Sequence, residues 1–370
     1  MRIRWTTPTP IVAAAAVLLL AAAPSQPSLA FSRTFTDLRI RFLSTQLTAV
    51  VGSNGTVRAE WGFGALIEAD DARLLFDTGN LPDTVTSNAR ALRVSLEGVH
   101  DVVLSHWHPD HVGGVLSVLP ATGPGETTFY AHPRIFDEKF RRTSPDTPIN
   151  LLRQQRSAIE AGRGIFNLSA AAREIRPGFA LTGGVPRAHA ADQKLADLAV
   201  VREGDTLVAD TIPDEQSLIV NTRDGLVVVT GCGHAGVVNT IEHVRRLVPD
   251  RPVAAVVGGF HWYASPESEI VETGRQLRAL GVSRLTGAHC TLVEPMFALR
   301  QHGWSREAAA VGAIGDDFFL RPSASAAVGQ EPPVASVAEG QPPRGGHRPA
   351  GEPVCHTSPP GSKTDRLPRP

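Results

Sequence analysis

An apolar segment that leads directly into a cluster of imidazole and carboxylate side chains constrains this chain more than any other feature. Residues 99–104 (VHDVVL) predict a buried β-strand, and the run HWHPDH at residues 106–111 follows it. Residues two apart in an extended segment point to the same side, so the first two histidines and the aspartate converge. Nitrogen and oxygen donors of this kind bind zinc or iron. The run therefore predicts a metal centre at a strand end, with four candidate ligands: His106, His108, Asp110 and His111.

The order of predicted elements indicates an α/β fold. Several strands come first, and strands then alternate with helices, which is typical of a layered domain with helices outside two packed sheets. Residues 133–200 are the least regular and predict an insertion or a lid over the strand ends. The predicted strands are 46–52, 58–68, 73–76, 99–104, 217–221, 225–230, 253–257 and 284–286, and the predicted helices are 82–96, 236–247, 265–280 and 293–302.

The N-terminal segment has the three parts of a secretory signal peptide. Arg2 and Arg4 give a positive start, residues 11–23 are apolar and uncharged, and small residues at positions 28 and 30 fit a cleavage site. We therefore expect residues 1–30 to be removed, which leaves a secreted or periplasmic protein without a stable membrane partner. An uncleaved anchor is the alternative, disfavoured because a membrane span needs about 20 apolar residues.

Composition limits the remaining possibilities. Residues 326–370 are rich in Pro and Gly and predict a disordered tail, so residues 31–325 form the expected single domain. The formal net charge of -1 and the lack of a basic cluster argue against nucleic-acid binding. Three cysteines are present, but Cys232 and Cys290 lie within motifs, so we do not expect a disulfide scaffold. A small molecule is the expected binding partner.

Two motifs in the first half resemble the metallo-β-lactamase superfamily. The His-x-His-x-Asp-His run is similar to its metal-binding signature, and residues 75–79 (LFDTG) are similar to its first motif, a strand that ends in Asp-x-Gly. The resemblance implies a four-layer αββα sandwich with one or two metal ions at its edge. It also implies that Asp77 orients the metal-binding loop.

Motifs in the second half resemble a subgroup, the dihydropterin–ribofuranosylaminobenzene phosphate synthase-like hydrolases. They are DEQSL at 214–218, TGCGHAG at 230–236, GGFHW at 258–262 and HCT at 289–291, and the resemblance covers about residues 45–320 except for 133–200. It implies that His234 and His289 complete the metal ligands. Cys232 stands where the superfamily usually has a bridging Asp, so it either binds metal as thiolate or lines the pocket. Leu292 replaces the glycine that usually follows the last motif.

The implied activity is hydrolysis of a small phosphoester or cyclic ester by a metal-activated water. Asp110 and His261 are the candidate catalytic residues, with His261 as proton donor, substrate contact or ligand, and His132 is a candidate pocket residue. The expected cofactor is one or two zinc ions, with iron or manganese as alternatives. A non-heme iron oxidoreductase of the same fold and a metal-binding protein without catalysis are the competing interpretations.

Overall fold

The computed structural model describes residues 28–49, 57–194, 199–204 and 206–320. The predicted tail lies outside these ranges, as does the predicted signal peptide except for residues 28–30. No helix within the described ranges is long and apolar enough to cross a membrane.

Two seven-stranded mixed sheets form the centre of the molecule. The first has the order β18-β1-β2-β3-β4-β5-β8, and the second has the order β17-β16-β15-β14-β13-β10-β9. The strands of the first sheet are β1 (Leu38–Ser44), β2 (Gly64–Ala69), β3 (Ala72–Phe76), β4 (Asp101–Val103), β5 (Thr127–Ala131), β8 (Gly164–Leu168) and β18 (Asp317–Leu320). Those of the second are β9 (Arg173–Arg176), β10 (Phe179–Leu181), β13 (Leu218–Thr222), β14 (Gly225–Thr230), β15 (Val253–Gly258), β16 (Arg284–Gly287) and β17 (Ala309–Val311).

Helices cover both outer faces, which confirms the predicted αββα sandwich. One apolar cluster lies between the sheets and contains side chains such as Phe76 and Val229. Two others fill the space between each sheet and its helices, for example around Leu75 and Val228, because alternate residues of a strand face opposite sides. The helices on the first sheet are α1 (Thr84–Ala91), α2 (Pro109–Val112), α3 (Val115–Ala121) and α4 (Leu151–Ala161), and those on the second are α5 (Val237–Leu247), α6 (Glu267–Ala279) and α7 (Glu294–Gln301).

The prediction of a strand at 46–52 is wrong for the residues that the structure describes, because residues 46–49 form a bend and a single bridge. The first strand within the described residues is β1, whose apolar Leu38, Ile40 and Phe42 enter the core between the sheets. Its arginines at 39 and 41 face outward and pair with acids on the neighbouring strands. The strand predicted at 58–68 begins only at Gly64.

Residues 133–200 are more regular than the sequence indicates. They supply α4, β8, β9 and β10 to the sandwich, and the edge strand β9 has an Arg-Glu-Ile-Arg sequence that hides its strand pattern. They also supply part of a third sheet, with the order β12-β11-β6-β7. Its strands are β6 (Phe140–Arg141), β7 (Ser144–Pro148), β11 (Val200–Glu203) and β12 (Thr206–Ala209), and three short 3-10 helices lie at Pro133–Phe136, Ala190–Asp192 and His289–Thr291.

Candidate metal centre

The candidate site lies where parallel strands of both sheets end. β3 is parallel to β4 in the first sheet, and β14, β15 and β16 are mutually parallel in the second. The carboxyl ends of parallel strands meet at one edge, so the loops that follow them come together. These loops carry Asp77, the 106–111 run, Cys232 with His234, His261, and His289.

The predicted ligands form two compact groups, and within each group the ligand atoms lie within 4.8 Å of one another. The groups adjoin, because the ring centroids of His106 and His111 are 4.2 Å apart. Their seven side chains are buried except for that of Asp110, which is partly exposed. The first group is His106, His108 and His234, and the second is Asp110, His111, Cys232 and His289.

Asp77 holds the loop after β4 in place, as its motif implies. Its Oδ2 lies 2.7 Å from Nδ1 of His111, and its Oδ1 accepts a hydrogen bond of 2.7 Å from the backbone N–H of Ser105. With Nδ1 engaged in this way, Nε2 of His111 points toward the second group, 3.1 Å from the Cys232 sulfur. A carboxylate behind a ligating imidazole fixes its tautomer and orientation.

His234 is fixed from two sides. Its Nδ1 lies 2.6 Å from the carbonyl oxygen of Lys194, and its backbone N–H donates to Oε1 of Glu215 over 2.7 Å. Glu215 also accepts from the backbone N–H of Ala235. Nε2 of His234 is buried and has no hydrogen-bond partner among the described residues.

The environment sets the protonation of the metal-free site. Burial lowers the pKa values of His106, His108 and His289, and it lowers the pKa of His234 to about 4. Burial alone would raise the pKa of Asp110, but the neighbouring His111 lowers it below its ordinary value. Neutral imidazoles and an ionised carboxylate are the forms that bind metal ions.

Cys232 and Cys290 are buried free thiols whose sulfur atoms lie 3.5 Å apart. Burial raises the pKa of Cys232, and the adjacent Cys290 raises it further. The Cys232 thiol is therefore protonated in the metal-free protein, and ligation to a metal would release its proton.

Four residues around the site have a left-handed backbone conformation. Asp77, His261, His289 and Leu292 all have φ between 50° and 60°, which is uncommon for residues other than glycine and recurs at functional sites. Close approach of loops adds a second constraint, since a Cβ at Gly231 would collide with the side chain of Ser105. The glycine before Cys232 thus lets the second sheet's loop reach the metal-binding loop.

A cavity of about 530 Å³ opens over the ligands. His261 lines it, and its ring centroid lies 4.5 Å from that of His234. Burial, and next His234, lower the pKa of His261 to about 3. His132 is not among the described residues that line the cavity; its Nδ1 instead accepts from the backbone N–H of Arg134 over 3.2 Å.

The donor set fits divalent metal ions. Three imidazoles form one group, and a carboxylate, two imidazoles and a thiol sulfur form the other, which are donors that zinc takes in proteins. The unpartnered Nε2 of His234 supports metal binding at this site. A buried nitrogen without a hydrogen-bond partner costs free energy, and a bound ligand would offset that cost. The second nitrogen of the same ring is held by a carbonyl, as is usual for histidines that bind metal.

Several residues that build the site carry no recognisable signal in the sequence. Trp61, Arg141 and Tyr263 line the cavity but lie in loops or in the third sheet. Lys194 contributes only a backbone oxygen, which any residue type could supply. Glu215 lies within the DEQSL motif, but nothing in that motif indicates that it positions His234.

Comparison with known proteins agrees with this fold. Residues 63–246 match the sequence model of the metallo-beta-lactamase superfamily. The chain is 29% identical over 248 residues to the 7,8-dihydropterin-6-methyl-4-(β-D-ribofuranosyl)-aminobenzene-5'-phosphate synthase of Methanocaldococcus jannaschii, a match that covers 65% of this chain and 84% of that protein. An uncharacterised protein of the same archaeon is 28% identical over 206 residues, which is 55% of this chain and 73% of the relative.

A solved structure described as a metal-dependent hydrolase of the beta-lactamase superfamily superposes with a TM-score of 0.60 at 25% identity. The superposition covers 77% of this chain and 99% of the solved chain. The chain thus contains a metallo-β-lactamase domain, as its motifs implied.

Proposed function

We propose that the protein is a metal-dependent hydrolase of small esters, with phosphoesters and cyclic esters as the substrate classes. One observation carries the proposal: two adjoining groups of metal-binding side chains form the floor of an open cavity. Two cations held side by side suit hydrolysis, because together they can stabilise the attacking and the leaving oxygen.

The metal ions and the protein have separate tasks. When bound, the cations would supply Lewis-acid chemistry, lowering the pKa of water toward about 7 and polarising the electrophile. The chain's own residues hold and orient the ligands: Asp77 aims His111, and the Lys194 carbonyl aims His234. Asp110 lines the cavity and is ionised at neutral pH, so its carboxylate can accept a hydrogen bond from an attacking water and orient it.

His261 serves as a neutral hydrogen-bond donor in this scheme. Because its pKa lies near 3, it carries no positive charge at neutral pH. A neutral imidazole still offers one N–H group, and the side chain lines the cavity beside His234. We assign it to holding an oxygen of the substrate, which is one of the roles that its motif left open.

The relatives support the general chemistry and leave the substrate to experiment. The archaeal relative is named a synthase of a phosphorylated compound, and the matched solved structure is described as a metal-dependent hydrolase. These names favour phosphoesters as the first substrates to test.

Metal analysis of the purified protein, together with a panel of phosphomonoesters, phosphodiesters and lactones, tests the proposal. We expect two divalent ions per chain and turnover of at least one substrate class. His106→Ala should remove bound metal and turnover, whereas the matched control His302→Ala should keep both, because His302 is exposed and pairs with Glu267 on the surface.

Other outcomes would overturn the proposal. A single iron per chain with oxygen consumption would support the oxidoreductase alternative. Protein that binds zinc but turns over no substrate of the panel would support the alternative of a metal-binding protein without catalysis. Full activity in the His106→Ala variant would also contradict a metal-dependent reaction at this site.

A further inference from the structure

Residues 187–194 lie against the loop that carries His234, and we call this segment the strap. Its regular structure is limited to the short 3-10 helix at Ala190–Asp192. At one end, the main chain of Lys194 binds His234 twice. The N–H of Lys194 donates to the His234 carbonyl oxygen over 2.9 Å, and the Lys194 carbonyl oxygen lies 2.6 Å from Nδ1 of the ring. Because an irregular segment has no hydrogen-bond ladder of its own, other contacts must hold this carbonyl in place.

Arg187 fastens the other end of the strap. Its Nη1 donates to the same carbonyl oxygen of His234 over 3.0 Å, and its Nη2 donates to the carbonyl oxygens of Thr211 and Ile212. A guanidinium group presents its N–H donors in a rigid fork, so this one side chain joins the strap to two loops. Both ends of the strap are therefore tied to His234.

Asn239, in the first turn of α5, holds the middle of the strap. Its Oδ1 accepts from the backbone N–H of His189 over 2.8 Å, and its Nδ2 donates back to the His189 carbonyl oxygen over 3.0 Å. The same Nδ2 donates to the carbonyl oxygen of Ala235, next to His234. The Asn239 side chain is buried, and one buried amide thus fixes the strap both to α5 and to the loop of His234.

Asp192 joins the strap to the beginning of α5. Its Oδ2 accepts from the backbone N–H of Asn239 over 2.9 Å, one of the donors that a helix leaves unpaired in its first turn. The N-cap residue, Gly236, has no side chain that could accept this bond. A Cβ at Gly236 would collide with the Asp192 carboxylate, so the last glycine of the TGCGHAG motif makes room for the strap.

The strap determines which nitrogen of His234 is free to bind metal. A neutral imidazole has one N–H group and one lone pair, and burial keeps this ring neutral at neutral pH by lowering its pKa to about 4. Nδ1 faces a carbonyl oxygen, which can only accept, so Nδ1 carries the hydrogen and Nε2 carries the lone pair. Nε2 is buried without a partner among the described residues, and His234 belongs to the first ligand group.

We propose that the strap is a positioning device for the first ligand group, and that Asn239 and Asp192 act through the Lys194 carbonyl to hold His234 in the tautomer with its hydrogen on Nδ1. Neither residue belongs to the candidate ligands, so both are positioning residues. The inference rests on the proposed metal centre, but it holds for any reaction that the centre performs. It predicts that a loosened strap changes the tautomer of this one ring.

NMR of the metal-free protein with 15N-labelled histidine reads the tautomer at neutral pH, because a ring nitrogen with a hydrogen and one with a lone pair resonate at different frequencies. The His234→Gln variant assigns the signals. We expect wild-type His234 to carry its hydrogen on Nδ1 alone, and Asn239→Ala to populate both tautomers. Zinc titration against a chelator, followed on the same resonances, should show about tenfold weaker binding in Asn239→Ala, the lower end of the usual effect of a partner behind a ligating histidine.

Asn88→Ala is the matched control. Asn88 is also a buried asparagine in a helix, α1, and it makes the same three kinds of bond. Its Oδ1 accepts from the backbone N–H of Arg58, and its Nδ2 donates to the carbonyl oxygens of Arg58 and Leu43. Because these bonds tie α1 to other segments than the strap, Asn88→Ala should retain the wild-type tautomer and zinc affinity.

Asp192 provides a second test, which decides the matter if Asn239→Ala does not fold. Asp192→Ala removes the acceptor and should populate both tautomers of His234. Asp192→Asn keeps an oxygen for the backbone N–H of Asn239 and should preserve the single tautomer. A general loss of stability would not separate these two variants in this way.

The proposal fails if wild-type His234 carries its hydrogen on Nε2, or if either alanine variant folds and keeps both the single tautomer and the wild-type zinc affinity. The proposed function has a different point of failure. Expected tautomers and zinc binding without turnover would contradict the hydrolase and support the strap. A wild-type protein that binds no zinc would overturn both.

Discussion

Nδ1 of His111 lies 2.7 Å from Oδ2 of Asp77, and both side chains are fully inaccessible to solvent. This contact joins the end of β3 to the start of α2 and leaves Nε2 of His111 directed at the second ligand group. The same carboxylate accepts from the hydroxyl of Ser105 over 2.7 Å. Asp77 therefore links the orientation of one candidate metal ligand to the loop that carries His106, His108 and Asp110.

Asp77→Asn should weaken metal binding at the second group by about 10- to 100-fold, the usual effect of removing a carboxylate behind a ligating histidine. Asparagine keeps the size of the side chain but loses the charge that fixes the His111 tautomer. Competition with a chelator measures the affinity. Asp83→Asn, at an exposed acid paired with Arg58, is the control, and unchanged affinity in Asp77→Asn would contradict the assigned role.

Cys232 and Cys290 offer a matched test of thiolate ligation. Both are buried and their sulfur atoms are neighbours, but Cys232 alone belongs to the second ligand group. Cys232→Ser should lower the metal content toward one ion per chain, whereas Cys290→Ser should retain two. In the cobalt-substituted protein, the thiolate-to-metal absorption band should vanish only in Cys232→Ser. A band that persists in this variant would show that Cys232 merely lines the pocket.

Much of the site was predictable because its ligands follow strands whose ends must converge. His106 and His108 share one side of an extended segment, and that spacing is visible in the sequence. The helices of the second half also begin and end within two residues of their expected positions, for example α5 at Val237–Leu247. Local periodicity and motif spacing are sufficient to predict such elements from the sequence.

The rest depends on long-range packing. Trp61 reaches Tyr263 from a loop some 200 residues away in sequence, and no local pattern predicts that contact. Strand β9 consists largely of charged residues, because an edge strand need not bury both faces. Arg141 and Arg142 are placed by a third sheet whose strands are too short to give a clear alternating pattern.

The buried pair of Lys139 and Asp210 should be important for stability. Removing one partner of a buried ion pair leaves an uncompensated charge, which costs about 3 kcal/mol or more. We therefore expect Lys139→Met to lower the free energy of unfolding by about that amount in denaturant titrations. Arg156→Met, which breaks an exposed pair with Glu160, should cost only about 0.5 kcal/mol. Equal effects of the two variants would show that the buried pair has no special role.

Asp214 should make stability depend on pH. Burial raises its pKa from 3.8 to about 7, so the folded state favours the protonated form. Between about pH 4 and pH 7 the folded state therefore binds more protons than the unfolded state, and the stability of the fold falls as pH rises. The loss of stability is complete above pH 7 and amounts to at most about 4 kcal/mol in the free energy of unfolding.

Asp214→Asn should remove this dependence, because asparagine cannot ionise yet still offers an oxygen to the backbone N–H of Trp107. Denaturant titrations of chelator-treated protein at pH 5 and pH 8 give the comparison. The variant should gain stability relative to the wild type at pH 8 more than at pH 5. Asp83→Asn should show no such trend, because its pairing with Arg58 lowers its pKa below 3.8. A constant difference for Asp214→Asn would refute the prediction.

Leu292 has a backbone conformation that suits glycine, which is the residue usual at this position in the subgroup that the motifs resemble. Its φ of 60° and ψ of -171° fall in a region almost restricted to glycine, where another residue costs about 1 to 3 kcal/mol. Leu292→Gly should relieve that strain, while the greater freedom of glycine in the unfolded chain offsets about 0.5 to 1 kcal/mol. The net expectation is stabilisation by about 1 kcal/mol, measured as a higher denaturant midpoint.

The control for Leu292→Gly is Leu280→Gly. Leu280 is also half-buried, but its φ is -79° at the end of α6, a conformation that leucine adopts without strain. The same substitution there should lower the midpoint, because it removes apolar contacts and relieves nothing. Destabilisation by both substitutions would mean that the contacts of the Leu292 side chain outweigh its backbone strain, and that leucine is retained at the edge of the site for packing.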